Sequence, residues 1–248
     1  MTPSIDTHVP ETDILDRYAA WVGGGHPLDL VEIEEGMLDP MTRDEGRDRA
    51  DPRHQALEWI DAMDSAMARE MSREMRCMMR RDHFIARFGF AVVAAPFVPL
   101  MRELGPCLEV GAGPGTLTRL LRNDGQDAIA SDIHGRDTRK IEATHFGGEA
   151  WTEIFGASAE AAIRNHPDRT VLMSWPCYDK PWSRHALDAM APGQTLVFIG
   201  EIGGCTGDDW LPETIRSAFC NRPTTVNPRD ALWSFPMIHD RISVLRKI

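Results

Sequence analysis

The chain has 248 residues, of which 42% are hydrophobic and 26% charged, and a formal net charge of −11. That suits one α/β domain of ordinary core size with a helical extension, and the apolar fraction is that of a globular protein. No apolar run approaches the roughly 20 residues of a membrane-spanning helix, and the negative charge disfavours a broad phosphate-binding face, so nucleic acid is disfavoured as a partner without being excluded.

The first quarter carries the charge. Residues 1–64 hold 16 Asp and Glu against 5 Arg and no Lys, which accounts for the whole net charge. Residues 1–53 read as an acidic, partly ordered N-terminal arm: Leu15, Tyr18 and Trp21 suggest a short helix before Gly23–Gly25, and a solvated, charged loop follows. Such an arm either keeps the chain soluble or serves as a lid or partner-docking segment. Its polar, acidic start (MTPSIDTHVPETD) is unlike a signal or transit peptide, and the expected location is cytoplasmic, with no membrane partner. Five cysteines with no CxxC pair agree with reduced thiols.

Residues 54–104 read as a helical extension. Leu57, Ile60, Met63, Met67, Met71, Met75 and Met78 recur at spacings of three and four, which places them on one side of a helix. The stripe either packs on the neighbouring domain or, methionine being flexible and polarizable, lines a substrate pocket or a homodimer contact. Met71 and Met75 are the candidate substrate contacts in it. Phe88, further on, is either a substrate contact or a core residue. Pro96 and Pro99 mark the start of another helix, which Gly105-Pro106 ends.

Residues 105–248 alternate as a doubly wound, mostly parallel α/β sheet should. The run CLEVGAGPGTLTRLL places an apolar strand (Cys107–Val110), a glycine turn (Gly111, Gly113, Gly115) and an amphipathic helix in succession. Glycine permits the tight turn and a close ligand approach, and the helix N-terminus offers oriented N–H groups. Seventeen residues after Gly115, the run AIASDI sets Asp132 at the end of a second strand, where a carboxylate can accept both hydroxyl hydrogens of a ribose. A third strand is expected over Ala150–Phe155, a fourth over Thr170–Trp175, a fifth in QTLVFIG and a last in RISVLRKI. Helices are expected in SAEAAIRNH, in SRHALDAM (begun by Ser183) and in DDWLPETIRSAF.

A dinucleotide fingerprint needs its third glycine one position later, where Thr116 stands, and Glu109 before the turn would repel a pyrophosphate. That carboxylate favours a cationic amino-acid group instead. Acid, one apolar residue, then G-x-G-x-G resembles the first motif of class I S-adenosylmethionine-dependent methyltransferases. The resemblance implies a seven-stranded sheet with its final strand antiparallel, and S-adenosylmethionine as cofactor with S-adenosylhomocysteine as product. It implies Glu109 on the cofactor's amino group, Gly111, Ala112, Gly113 and Gly115 along its backbone-facing side, Asp132 on the ribose and Ile133 on the adenine. The family's acid after the third strand is missing here, and Ser158 is its expected substitute. A helical extension before the first strand is where such enzymes often place a substrate cap.

Two later segments sit where the fourth and fifth strands end. Ser174-Trp175-Pro176-Cys177-Tyr178 looks like the amino-methyltransferase motif of Asp, Asn or Ser, two prolines and an aromatic, with Trp175 inserted and Cys177 replacing the second proline. Ser174 would then face the cofactor, Trp175 the acceptor, and Tyr178 the reacting nitrogen. A structural turn packing the same Trp and Tyr is an equal alternative. Glu201, before a glycine-rich loop, is either a general base or substrate anchor, or a carboxylate tied to backbone amides; Thr206 or Asp208 would cap the following helix. WPCYDKP, FIGEIGGCTGDD and WSFPMIHDRISVLRK are together similar to a largely uncharacterised bacterial group of these methyltransferases, over about residues 84–248. The histidines show no metal-ligand spacing, and no metal is expected.

The expected function is therefore methyl transfer to N or O of a small molecule or peptide. The competing reading is a non-catalytic, cofactor-binding subunit that recruits a partner through its N-terminal region.

Overall fold

A strand buried on both faces must be apolar along its whole length. In the computed structural model, which describes residues 81, 85, 88–135, 150–235 and 238–248, the runs that meet this condition form the centre of one sheet. The acidic arm and the methionine stripe, with Met71 and Met75, lie outside the described residues.

The elements run β1 (Val92–Val93), α1 (Phe97–Leu104), β2 (Cys107–Val110), α2 (Thr116–Asn123), β3 (Ala128–Asp132), β4 (Ile154–Gly156), α3 (Ala159–Asn165), β5 (Thr170–Ser174), α4 (Trp182–Ala189), β6 (Thr195–Gly200), α5 (Leu211–Ala218), β7 (Phe219–Asn221), a 3-10 turn (Pro228–Ala231), β8 (Leu232–Trp233) and β9 (Arg241–Lys247). Seven strands make one sheet in the order β4-β3-β2-β5-β6-β9-β7. The pairs among β2, β3, β4, β5 and β6 are parallel, and β9 runs against both its neighbours. This is the seven-stranded arrangement with an antiparallel final strand that the methyltransferase resemblance implies. A separate antiparallel pair joins β1 to β8, Val92 facing Trp233.

Side chains of successive strand residues point to opposite faces, and the two faces collect different helices. Leu172, Val197 and Ile199 meet Phe97, Leu100, Met101, Leu117 and Leu121 of α1 and α2. Val171, Met173, Leu196 and Phe198 meet Ile163, Ala186, Leu187 and Leu211 of α3, α4 and α5. The boundary expected at residue 104 falls between α1 and β2, yet α1 belongs to the sheet's own core, because Phe97, Leu100 and Met101 are fully buried in it. Cys107 is buried beside them and burial pushes its thiol up to about 12, so it packs as an unreactive apolar group.

Other differences have local causes. The third strand pairs only from Ile154, since Trp151 instead donates its N–H to Pro114 O and Thr152 accepts from Arg122. Helix α4 begins one residue before Ser183, whose hydroxyl is buried without a partner and does not cap it. The helix expected through Phe219 stops at Ala218, and the chain runs on as edge strand β7 beside β9. Thr206 and Asp208 do not cap α5: the Thr206 hydroxyl donates to Glu201 O, and Asp208 pairs with Arg184 at 3.2 Å. Among the described residues no helix is long and apolar enough to cross a membrane.

Because α1 is core, Met101→Ala should cost about 2–5 kcal/mol, the range for truncating a buried methionine. A urea denaturation midpoint unchanged from that of the native protein would return α1 to the periphery.

Candidate functional site

Open α/β sheets bind ligands beyond the carboxyl ends of their strands. Here the ends of β2, β3 and β5 open into one cavity of about 1060 Å³. It brings together Phe88, Glu109, Gly111, Ala112, Gly113, Asp132, Ile133, Ser158, Ser174, Trp175 and Tyr178, all of them expected site residues. Gly115 and Glu201 do not line it.

Glu109 is only 3% exposed. Its Oε2 accepts the Thr118 main-chain N–H at 2.9 Å and the Thr118 hydroxyl at 2.6 Å, which ties β2 to the first turn of α2. Burial, helped by the charge of Asp132, pushes its carboxyl up to about 7 against the pull of those two hydrogen bonds. Asp132 is likewise buried at the end of β3; Oδ2 accepts the Gly113 N–H at 3.2 Å and Oδ1 the His134 N–H at 3.0 Å. Each carboxylate oxygen can accept more than one hydrogen bond, so Asp132 is held in place with acceptor capacity to spare.

Thr116, at the start of α2, lines the cavity with its hydroxyl oxygen buried and without a partner. A buried hydroxyl lacking a partner is costly unless a ligand completes it. A nucleoside amino acid fits this donor set: the hydroxyl and the helix N-terminus for its carboxylate, Glu109 for its ammonium, Asp132 for its ribose. Ile133, 70% exposed, flanks the same opening. Ser158 Oγ accepts the Ala161 N–H at the start of α3 and keeps its own proton to donate.

Two glycines of the turn meet protein side chains. A Cβ on Gly115, at φ +76°, would stand 2.8 Å from Thr152 Cγ2; this glycine lets α2 pack on β4 and does not line the cavity. Gly111 meets the Trp182 ring, whose Cη2 would lie 2.7 Å from a Cβ. Glu201 is not placed as a base: Oε1 accepts the His239 N–H at 2.6 Å and Oε2 the Cys205 N–H at 3.3 Å. Burial would raise its pKa, but these bonds outweigh it and hold the carboxyl below the usual range.

At the other end the walls are aromatic. Phe88 stacks on Trp151 with centroids 5.6 Å apart, and Phe90 on Trp175 at 5.1 Å, while the Arg81 guanidinium lies 5.2 Å over the Trp175 ring. Trp175 has φ +47°, a left-handed conformation that costs a bulky residue roughly 1–2 kcal/mol. Behind it Asp240 is pushed up to about 7 by burial and by the charge of Glu201, with Arg81 and Trp175 pulling the other way. Tyr178 stands at the rim, 63% exposed. Sequence reasoning missed Thr116, whose buried hydroxyl has no partner, and Thr118, Trp182 and Asp240, whose roles come from contacts outside their own elements.

No protein-family model matches the chain, and no curated protein matches it. Solved structures do. TrmN from Thermus thermophilus is 18% identical, with a TM-score of 0.40 over 61% of this chain and 47% of its own. An rRNA methylase from Streptococcus thermophilus is 16% identical, with a TM-score of 0.33 over 62% and 93%. A SAM-dependent methyltransferase from Archaeoglobus fulgidus is 15% identical, with a TM-score of 0.30 over 50% and 52%. The chain thus spans about half the length of TrmN. The strand order carries the fold, which is Rossmann-like with seven strands.

The Glu109 shift has a sign. Its folded carboxyl holds a proton that the unfolded chain releases from about pH 4.5, so its contribution falls as pH rises from 4.5 to 7 and stays lost above. Glu109→Gln keeps an acceptor for Thr118 and removes this penalty. Measured by urea titration without ligand, the variant should gain on the native protein between pH 5 and pH 8 by up to about 3 kcal/mol. Parallel pH profiles for the two proteins would show that Glu109 does not titrate in this window.

Proposed function

We propose that the chain is an S-adenosylmethionine-dependent methyltransferase acting on a nitrogen or oxygen of a small molecule or peptide. The observation that supports it most is the pair of buried carboxylates, Glu109 and Asp132, at the ends of adjacent strands on either side of one glycine turn. They suit a ligand with an ammonium at one end and a ribose diol at the other. The cavity of about 1060 Å³ exceeds what one drug-sized ligand fills, leaving room for an acceptor beside the cofactor.

When bound, the cofactor supplies a methyl group on a positively charged sulfur. The chain's part is binding and orientation. Glu109 in its ionised form pairs with the ammonium, Asp132 accepts from the ribose, and the glycine turn, with Ala112 and Gly113, gives its main chain to the cofactor's flank. Ile133 covers the adenine, Ser158 donates to its edge, and Ser174 closes the cofactor side at the end of β5. Phe88, Trp175 and Tyr178 form the acceptor wall, where Tyr178 meets the reacting atom. Holding that atom in line with the transferred methyl supplies much of the rate. Glu201, which does not line the cavity, is given no part in it.

The acceptor's class is set by a screen with labelled cofactor that includes small molecules, peptides and nucleic acid, since net charge does not exclude a local basic face. Calorimetry should find S-adenosylmethionine and S-adenosylhomocysteine bound far more tightly than NAD; comparable or tighter NAD binding refutes the cofactor assignment. Asp132→Ala should then lose roughly ten- to a hundredfold in affinity, the equivalent of about 1.5–3 kcal/mol for a charge-assisted hydrogen bond. An Asp132→Ala protein that binds normally and melts early would make Asp132 structural.

The methionine stripe belongs, on this reading, to the acceptor side. Replacing Met71 and Met75 with polar residues should impair turnover of the true acceptor and leave S-adenosylhomocysteine affinity within about threefold. Core packing predicts the opposite, with stability lost by about 2–5 kcal/mol per truncated methionine and both activities failing together.

A further inference from the structure

Gly111 has a neighbour that the sequence does not bring to it. Trp182, 71 positions later at the start of α4, sets its six-membered ring against the glycine turn. A Cβ on Gly111 would stand 2.7 Å from Cη2, 3.2 Å from Cζ2 and 3.5 Å from Cζ3. The outer vertex is nearest, and its flanks are close enough to set the turn obliquely over that vertex rather than in the plane of the ring. An indole touched at one vertex leaves the rest of its ring free of that contact. Trp182 is half-buried and lines the same cavity as Glu109 and Gly111, so part of its surface faces the ligand space.

The covalent order of the cofactor says what should pass there. Its sulfur joins the amino-acid arm to the ribose. Glu109 precedes Gly111 by two residues, and Asp132 ends the adjacent strand. A ligand bridging these carboxylates carries its sulfur past Gly111, and so past Trp182. Both carboxylates meet parts of the ligand that do not change in the reaction. The sulfur does change: it is a cation before methyl transfer and a neutral thioether after it. The face of an indole attracts a cation and has no such attraction for a thioether.

We propose that the Trp182 indole is the sulfonium-facing wall of the site and sets the preference for S-adenosylmethionine over S-adenosylhomocysteine. The inference rests on the cofactor reading under Proposed function. It makes Trp182 a specificity-determining residue that helps the product leave, since the attraction ends when the methyl group has gone.

The test is calorimetric binding of the two ligands, with melting temperatures, for the native protein and for Trp182→Met, Trp182→Leu and Trp182→Phe. Removing the ring should weaken S-adenosylmethionine by about 2- to 30-fold while S-adenosylhomocysteine stays within about twofold. Trp182→Phe, with a weaker π face, should show a smaller loss confined to the same ligand; if neither ring-free variant folds, that selective loss decides the matter. Equal weakening of both ligands would make Trp182 a packing residue only, and no change in either would show that its face lies elsewhere. Either outcome overturns the inference and leaves the cofactor reading standing. A native protein that binds neither ligand overturns both.

Discussion

A carboxylate buried at the base of the glycine turn is the constraint from which the rest of the site follows. Burying a charge is costly unless it is paired and hydrogen-bonded. Glu109 has two strong donors, but both come from Thr118 and both converge on one oxygen. That arrangement fixes the start of α2 against the end of β2. The other oxygen is left for whatever enters the cavity, and the carboxyl stands near 7, on the edge of losing its charge. A cationic ligand group would relieve this directly. The apo fold gives up stability at neutral pH to keep such a partner strongly favoured, a trade between activity and stability of the kind functional sites make.

The second carboxylate solves the same problem differently. Asp132 spreads its two oxygens over two main-chain N–H groups, one from the glycine turn and one from the residues after β3. The parallel pairing of β2 with β3, Glu109 beside Ala130 and Val110 beside Ser131, brings the two acids to one edge of the sheet. The glycines between them answer to protein neighbours as much as to a ligand. Gly111 makes room for Trp182, and Gly115 for Thr152 and Ile154. Each lets an aromatic or branched side chain from a distant element reach the turn and hold it in place.

What was legible in the sequence is what depends on near neighbours. Strands β2, β3, β5 and β6 are runs of apolar residues bounded by glycine or proline, and Asp132 falls at a strand end by counting along one such run. The edge strand β7 was not legible, because Phe219 continues the apolar spacing of α5 and only its pairing with Lys247 of β9 shows it to be extended. Strands β1 and β8 are two residues each and exist only through one another. The same division holds in the site. Glu109 and Asp132 stand at strand ends visible in the local pattern. Thr118 matters because a carboxylate nine residues away turns toward it, and Trp182 because it lies on the glycine turn. Glu201 shows the same division: whether a strand-end acid is a base or is tied to main-chain amides stays open in the sequence, and only His239, 38 residues on, brings its N–H to it.

The two ends of the cavity use different physics, and that difference constrains the chemistry between them. The β2–β3 end is polar, with directional hydrogen bonds to carboxylates held by main-chain donors. The β5 end is built from faces: Phe90 on Trp175, Arg81 over both rings, and Tyr178 at the rim. Trp175 holds its place there in a strained left-handed conformation, secured by its N–H to Ile199 O at 2.8 Å. Strain of this kind persists only where surrounding contacts over-determine it. On the proposed reading the polar end fixes one reactant rigidly, and the aromatic end receives the other by shape and polarizability.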